Sequence, residues 1–367
     1  MNREPPFLLP FLSTFSRPAL AATAAVLGAL ALAGPAGAAV SVTLAPVQGT
    51  LKRGDDVLVR VTLTNTSGSA HYLLRWRTPL DGIQASLFEV RRDGQPVVYL
   101  GRRIKRAAPG PADYLRLEPG ATVTQTVELS RLYEMSVTGA YTVRYRAPAM
   151  PVASTAKEQA PPQPLAGELA SNPVSLWIDG RLPRGSKVIG AAPPASGPGL
   201  SFSQCSNAQQ DQLVAAMEAG RTMTADSQAY LASGKQYGPR YSNWFGAPDA
   251  TRAARVSSKV AAIKDAFEIK PVKIDCDCDE PYFAYVYPAQ PYTVYVCRAF
   301  WAAAPTGTDS RGGTLLHELS HFDVVAGTDD HVYGHAGAAE LARTAPERAI
   351  NNADSYEYFG ENTPPQE

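Results

Sequence analysis

From Val40 to about Trp177 the apolar residues recur in short alternating runs: VSVTL, DVLVRVTLTN, SLFEVRR, PVVYLG, TVTQTVEL and AYTVRYRA. Turn residues separate them, among them Arg92-Asp93-Gly94-Gln95 and Glu118-Pro119-Gly120. Alternation of this kind turns one face of each run inward, which predicts an antiparallel β-sandwich. Between Ala147 and Leu200 the periodicity gives way to Pro, Ala, Gly and Ser, with one extended island at Pro173 to Ile178, and this stretch reads as a linker. Beyond it the spacing becomes helical. Helices are predicted over Asn207 to Ala219, Met223 to Ser233, Ala253 to Phe267, Thr314 to Ala326 and Ala338 to Tyr358, the last broken near Pro346. In the third of these Val256, Val260, Ile263 and Phe267 share one face. Tyr282 to Cys297 reads as extended, so the second half is mainly α with a small sheet, an α+β arrangement.

Composition places these elements in a globular chain with room for two domains: 367 residues, 45% of them apolar and 19% charged. The first 38 residues stand apart. Arg3 and Arg17 precede an apolar run from Ala19 to Ala33, and small residues end at Ala36-Gly37-Ala38, the three-part layout of a secretory signal cleaved after Ala38. The run is shorter than the roughly 20 residues a bilayer requires, so no membrane attachment is expected after signal removal. The expected organisation is a signal peptide at 1–38, a sandwich at 39–180, a linker and processing region at 181–200 and a second domain at 201–367. The processing region carries Arg184-Gly185-Ser186-Lys187, a basic, polar segment open to a protease, which makes the sandwich a pro-region. A cut before Lys187 by the enzyme itself is one expectation.

Export, to the cell exterior or the periplasm, means an oxidising destination, so Cys205, Cys276, Cys278 and Cys297 are expected to be paired. Cys276 and Cys278 lie too close in sequence to bridge each other well; each reaches Cys205 or Cys297, and two pairings stay open. The formal net charge of zero hides an asymmetry. Residues 40–150 carry 15 Lys and Arg against 9 Asp and Glu, a balance of +6, whereas residues 201–367 carry 13 against 21, a balance of −8. The halves should attract each other, and the acidic half could draw basic polypeptides. Neither half has a basic stripe with interleaved aromatics, so nucleic acid is not an expected partner.

Four of the five histidines fall between positions 317 and 335. The exception, His71, is expected to pack locally. At the centre of the group stands His317-Glu318-Leu319-Ser320-His321. On a helix, His317 and His321 face the same way one turn apart and can share an ion, with Glu318 beside it as a general base. Zinc suits neutral imidazoles, and an open coordination position lets it polarise a peptide carbonyl and acidify water. A third ligand is needed. The elongated histidine motif is excluded, because Val324 and Gly327 stand where it requires glycine and histidine. A later glutamate, Glu340, or an aspartate within Gly327-Thr328-Asp329-Asp330-His331-Val332-Tyr333-Gly334 could supply it.

These two segments together resemble the deuterolysin and peptidyl-Lys metalloendopeptidase family, the aspartate-ligand zincins, whose signature is HExxH followed by GTxDxxYG. The resemblance runs over roughly residues 201–367 and includes Arg240-Tyr241-Ser242-Asn243-Trp244-Phe245-Gly246 and the four cysteines. It implies a zincin-type catalytic domain holding one Zn2+ per chain, with Asp330 as third ligand and Tyr333 stabilising the oxyanion. It also implies the pairs Cys205–Cys276 and Cys278–Cys297. Asp354 and Glu357 match the acidic pair of lysine-specific members; three residues apart on a helix, they could hold one ammonium together. The function implied is a secreted zinc endopeptidase made as a zymogen. Its substrates would be lysine-containing polypeptides cut on the amino side of lysine, and its own pro-domain would be an intramolecular inhibitor. The competing function is a non-catalytic, zinc-stabilised binding or adhesion protein, in which His331 or His335 would close the metal site as a fourth ligand. Glu318 has no use in such a site.

Overall fold

The computed structural model describes residues 39–52, 54–147, 167–180, 199–234 and 238–366. The signal-like segment 1–38, with the cleavage expected after Ala38, lies outside the described residues, as do Lys187 and nearly all of the expected processing region. The N-terminal half contributes β1 (Val40–Pro46), β2 (Thr50–Lys52), β3 (Leu58–Asn65), β4 (His71–Leu74), β5 (Phe88–Arg92), β6 (Gln95–Pro96) and β7 (Arg103–Lys105). It continues with β8 (Tyr114–Leu117), β9 (Thr122–Glu128), β10 (Gly139–Ala147), β11 (Leu169–Ala170) and β12 (Val174–Asp179). Alternation decides the packing. Val59, Val61 and Leu63 of the β1-β3-β9 sheet share one core with Val90, Tyr141, Val143 and Tyr145 of the β2-β12-β10-β5-β6 sheet. The strand expected over PVVYLG shrinks to β6 and one bridge, Tyr99 to Tyr133. Pro96 has no N–H to give a ladder.

The C-terminal half is mixed α/β. Its strands are β13 (Gly199–Ser203), β14 (Pro271–Asp275), β15 (Ala284–Val286) and β16 (Thr293–Val296). Its helices are α1 (Asn207–Ala232), α2 (Pro239–Phe245), α3 (Ala250–Ile269), α4 (Arg298–Ala302), α5 (Arg311–His321), α6 (His335–Thr344), α7 (Pro346–Ala349) and α8 (Ala353–Glu361). α1 is one helix where two were expected. Gly220 at its middle does not break it; a Cβ there would come within 2.4 Å of the Phe267 ring, so this glycine lets α3 press against α1. The last predicted helix is divided into α6, α7 and α8, and the predicted Thr314 to Ala326 helix ends at His321.

In the sheet, the order is β13-β14-β16-β15-β7. β13, β14 and β16 run parallel, and β15 runs antiparallel to β16. The outermost strand comes from the other half of the chain: β7 pairs antiparallel with β15, Arg103 opposite Val286, Ile104 opposite Tyr285 and Lys105 opposite Ala284. Disulfides Cys205–Cys276 and Cys278–Cys297 tie the ends of β13 and β14 together and bracket the β15–β16 hairpin.

Candidate metal centre and substrate cleft

Helix α5 is fixed before its histidines begin. Ser310 caps it, its hydroxyl accepting from Gly313 N at 3.0 Å, and Glu361 of α8 accepts from Ser310 N at 2.8 Å. After His321 the chain leaves the helix, turns at Gly327 with φ +54° and doubles back beneath it. Thr328 N donates to Ser320 O at 3.1 Å, and His321 Nδ1 lies 2.9 Å from Thr328 O, in position to donate to it. His317 Nδ1 lies near two carboxylates, 2.9 Å from Asp354 Oδ1 and 3.3 Å from Glu357 Oε2.

With both Nδ1 atoms committed in this way, both Nε2 atoms present lone pairs, and they stand 3.1 Å apart. Asp330 Oδ1 closes the triangle at 3.2 Å from His317 Nε2 and 3.3 Å from His321 Nε2. Three electron-rich atoms in such a group repel unless a cation lies among them. The edges match a tetrahedral zinc, whose bonds of about 2.0–2.1 Å set neighbouring ligand atoms about 3.3 Å apart. The donor set therefore fits zinc.

Glu318 is fully buried beside this triangle. Burial pushes its carboxyl up to about 8, while the Lys105 charge pulls it back. Tyr333 is also buried, and burial followed by the nearby Asp330 charge raises its phenol well above 10, so it is a neutral donor. Its hydroxyl donates to the backbone carbonyl of Ile104 at 2.9 Å. The next residue, Lys105, extends into a closed acidic chamber, where Nζ lies 2.7 Å from Glu357 Oε2 and 3.2 Å from Asp309 Oδ1. Burial disfavours its charge, but Glu357, Asp354 and Asp309 outweigh that and keep it protonated.

Of the carboxylates expected to hold an ammonium, then, Glu357 touches one directly. Asp354 acts on it only through its field: its Oδ2 accepts from Gly334 N at 2.6 Å and its Oδ1 faces His317. Asp309, which the sequence reading did not single out, is the second carboxylate in contact, steadied by the Tyr358 hydroxyl at 2.8 Å. Glu340 lies on the outer face of α6 and pairs with Arg343 at 2.6 Å, apart from the donor triangle. Neither His331 nor His335 belongs to a donor group among the described residues. His335 packs edge-on against Trp244 instead, and His71 pairs locally with Ser67 at 2.8 Å. Both disulfides have the pairing that the resemblance implied. The occupancy of the cleft by residues 103–105 was missed, although a signal for it existed: the run Arg102-Arg103-Ile104-Lys105-Arg106 is too basic for a sandwich strand.

A family described as lysine-specific metallo-endopeptidase matches residues 230–361. An extracellular protease of Aeromonas hydrophila is 50% identical over 313 residues, 84% of this chain and 89% of that relative. A peptidyl-Lys metalloendopeptidase of Grifola frondosa is 32% identical over 330 residues, 85% of this chain and 90% of the relative. A solved zinc peptidase from Grifola frondosa is 43% identical, spans 44% of this chain and all of its own, and has a TM-score of 0.43. No helix among the described residues is long and apolar enough to cross a membrane. With half of its residues shared along nearly the whole length of a secreted protease, this chain belongs to the deuterolysin and peptidyl-Lys metalloendopeptidase family and is a zinc metalloendopeptidase.

Proposed function

We propose that this chain is the secreted precursor of a zinc endopeptidase that cuts on the amino side of lysine, held inactive by its own N-terminal half. The observation that carries this reading is the pose of Ile104 and Lys105. The lysine ammonium lies on Glu357 and Asp309, and the preceding carbonyl takes the hydroxyl of Tyr333. The peptide bond between them thus lies where a bond before a substrate lysine would be attacked.

In this reading His317, His321 and Asp330 hold the zinc, and Asp354 keeps His317 turned toward it. Zinc bound there supplies a Lewis acid that polarises the carbonyl and lowers the pKa of water. Glu318 takes the proton from the attacking water and passes it to the leaving amine of the lysine residue. Tyr333 donates to the carbonyl oxygen as negative charge develops there. Glu357 and Asp309 select the ammonium, with Asp354 adding to the negative field. Residues 39–180 act as a pro-domain, and removal of the signal at 1–38 and a cut within 181–200 release the enzyme of 201–367.

Mapping the new termini that the secreted, processed enzyme produces in a denatured protein tests this directly. Fragments beginning with lysine are expected, and a Glu318→Ala variant should produce none. Fragments with no excess of lysine at the first position would refute the assignment of the acidic chamber.

A further inference from the structure

If the Arg102–Lys105 segment lies in the cleft as a substrate does, its other side chains report subsites beyond the lysine chamber. Arg103 is the residue two before Lys105. Its guanidinium forms an ion pair with Asp329; the Arg103 side chain is 18% exposed and that of Asp329 36%. A carboxylate of the GTxDxxYG segment thus faces this guanidinium.

The rest of the strand is different. Arg102 meets no carboxylate among the described residues; it lies 5.0 Å over the Tyr285 ring and donates to the Tyr282 hydroxyl at 3.1 Å. Ile104 packs among Tyr282, Tyr285 and the Cys278–Cys297 bridge, an apolar setting. Charge selection upstream of the lysine therefore falls at a single position. Asp329 is free to serve it. It occupies an unspecified place in GTxDxxYG, and its backbone is held independently of its carboxylate, N to Asn351 O at 2.7 Å and O from Ala353 N at 3.0 Å.

We propose that Asp329 is a specificity-determining residue that selects arginine two positions before the cleaved lysine. The proposal rests on the lysine reading above and adds a second basic requirement, so that the preferred substrate class is polypeptide with an Arg-x-Lys sequence cut before the lysine.

The test uses the zinc-loaded enzyme in the form its host releases and three peptides alike except at that position, which holds Arg, Ala or Glu. Cleavage before lysine should be faster for Arg than for Ala by about fivefold in kcat/KM, the scale of a partly exposed ion pair, and slowest for Glu. Asp329→Asn should reduce the difference without altering zinc content, and Asp329→Arg should reverse the order in favour of Glu. A structural role for Asp329 would lower all three rates together and could not reverse their order. Equal rates before lysine for all three peptides in the unaltered enzyme would overturn the subsite and leave the lysine reading intact. Absence of cleavage before lysine in any peptide would overturn both.

Discussion

His317 sits between two acidic systems. Its Nε2 faces the donor triangle, while its Nδ1 faces Asp354 and, more distantly, Glu357. A metal held by the triangle would therefore be coupled to the chamber of Lys105 through one imidazole ring. Asp354 is the residue that joins them, since it also accepts from Gly334 N. Asp354→Asn is expected to weaken zinc binding by about 10- to 100-fold, the range for partners that orient metal-ligating histidines. Titration with a chelating indicator would measure it, and an unchanged zinc affinity would assign Asp354 to the lysine alone. Gly334 shows why such contacts elude a reading of the sequence. Its φ of +83° and its N–H suit the turn into α6, but the carboxylate it donates to is 20 residues away on another helix. The spacing of His317 and His321 could be read because one helix turn imposes it, and Asp330 through the loop that Gly327 reverses. Lys105 could not, because nothing local connects it with Glu357, 252 residues further on.

At the scale of elements, α5 must come very close to its neighbours to bury two histidines and a glutamate. Gly312 and Gly313 allow it. A Cβ on Gly312 would stand 2.8 Å from the Ala219 Cβ of α1, and one on Gly313 would fall 2.1 Å from the Glu361 carboxylate that caps the helix. Gly313→Ala should therefore cost about 1–3 kcal/mol of stability, as overpacking does, despite alanine's better helix propensity. Thermal unfolding of the zinc-loaded enzyme would measure the loss, and a gain would show that Glu361 can move aside. The sequence presented both glycines but not their contacts. The same limit explains the end of the chain. Pro346 signals one break, yet the second, at Asn352, follows from a distant contact: its side-chain oxygen accepts from His331 N at 3.0 Å and Val332 N at 3.2 Å, holding the GTxDxxYG segment in place. The alternating runs made most of the sandwich readable, because a sheet with one dry face writes its period into the sequence. β7 has no such period, since its partner strand belongs to the other half of the chain.

At the scale of the whole chain, the opposite charges of the two halves have a local meaning. Much of the basic excess of residues 40–150 lies where the halves meet: Arg103 against Asp329, Lys105 against Glu357 and Asp309, and Arg77 donating to the carbonyl of Asp330 at 2.6 Å. On the zymogen reading, Lys105 provides much of the hold, because removing one member of a buried pair strands the other. Lys105→Ala in the full chain should raise the initial rate on a short lysine peptide by at least about tenfold, before any cut in the linker is visible by electrophoresis. A precursor no more active than the unaltered one would assign the block to Arg77 and the apolar contacts around Ile104.

β15 has a consequence for the life of the protein after release. An unpaired sheet edge invites association with other chains. On the zymogen reading, the precursor travels with that edge satisfied while β7 covers it, and loss of the N-terminal half would leave the backbone of Ala284–Val286 bare. Only three residues long and closed off by the Cys278–Cys297 bridge, the edge so bared would offer too short a template for copies of the enzyme to zip together, yet enough for a passing polypeptide to dock. The reach of the edge thus separates feeding from clumping.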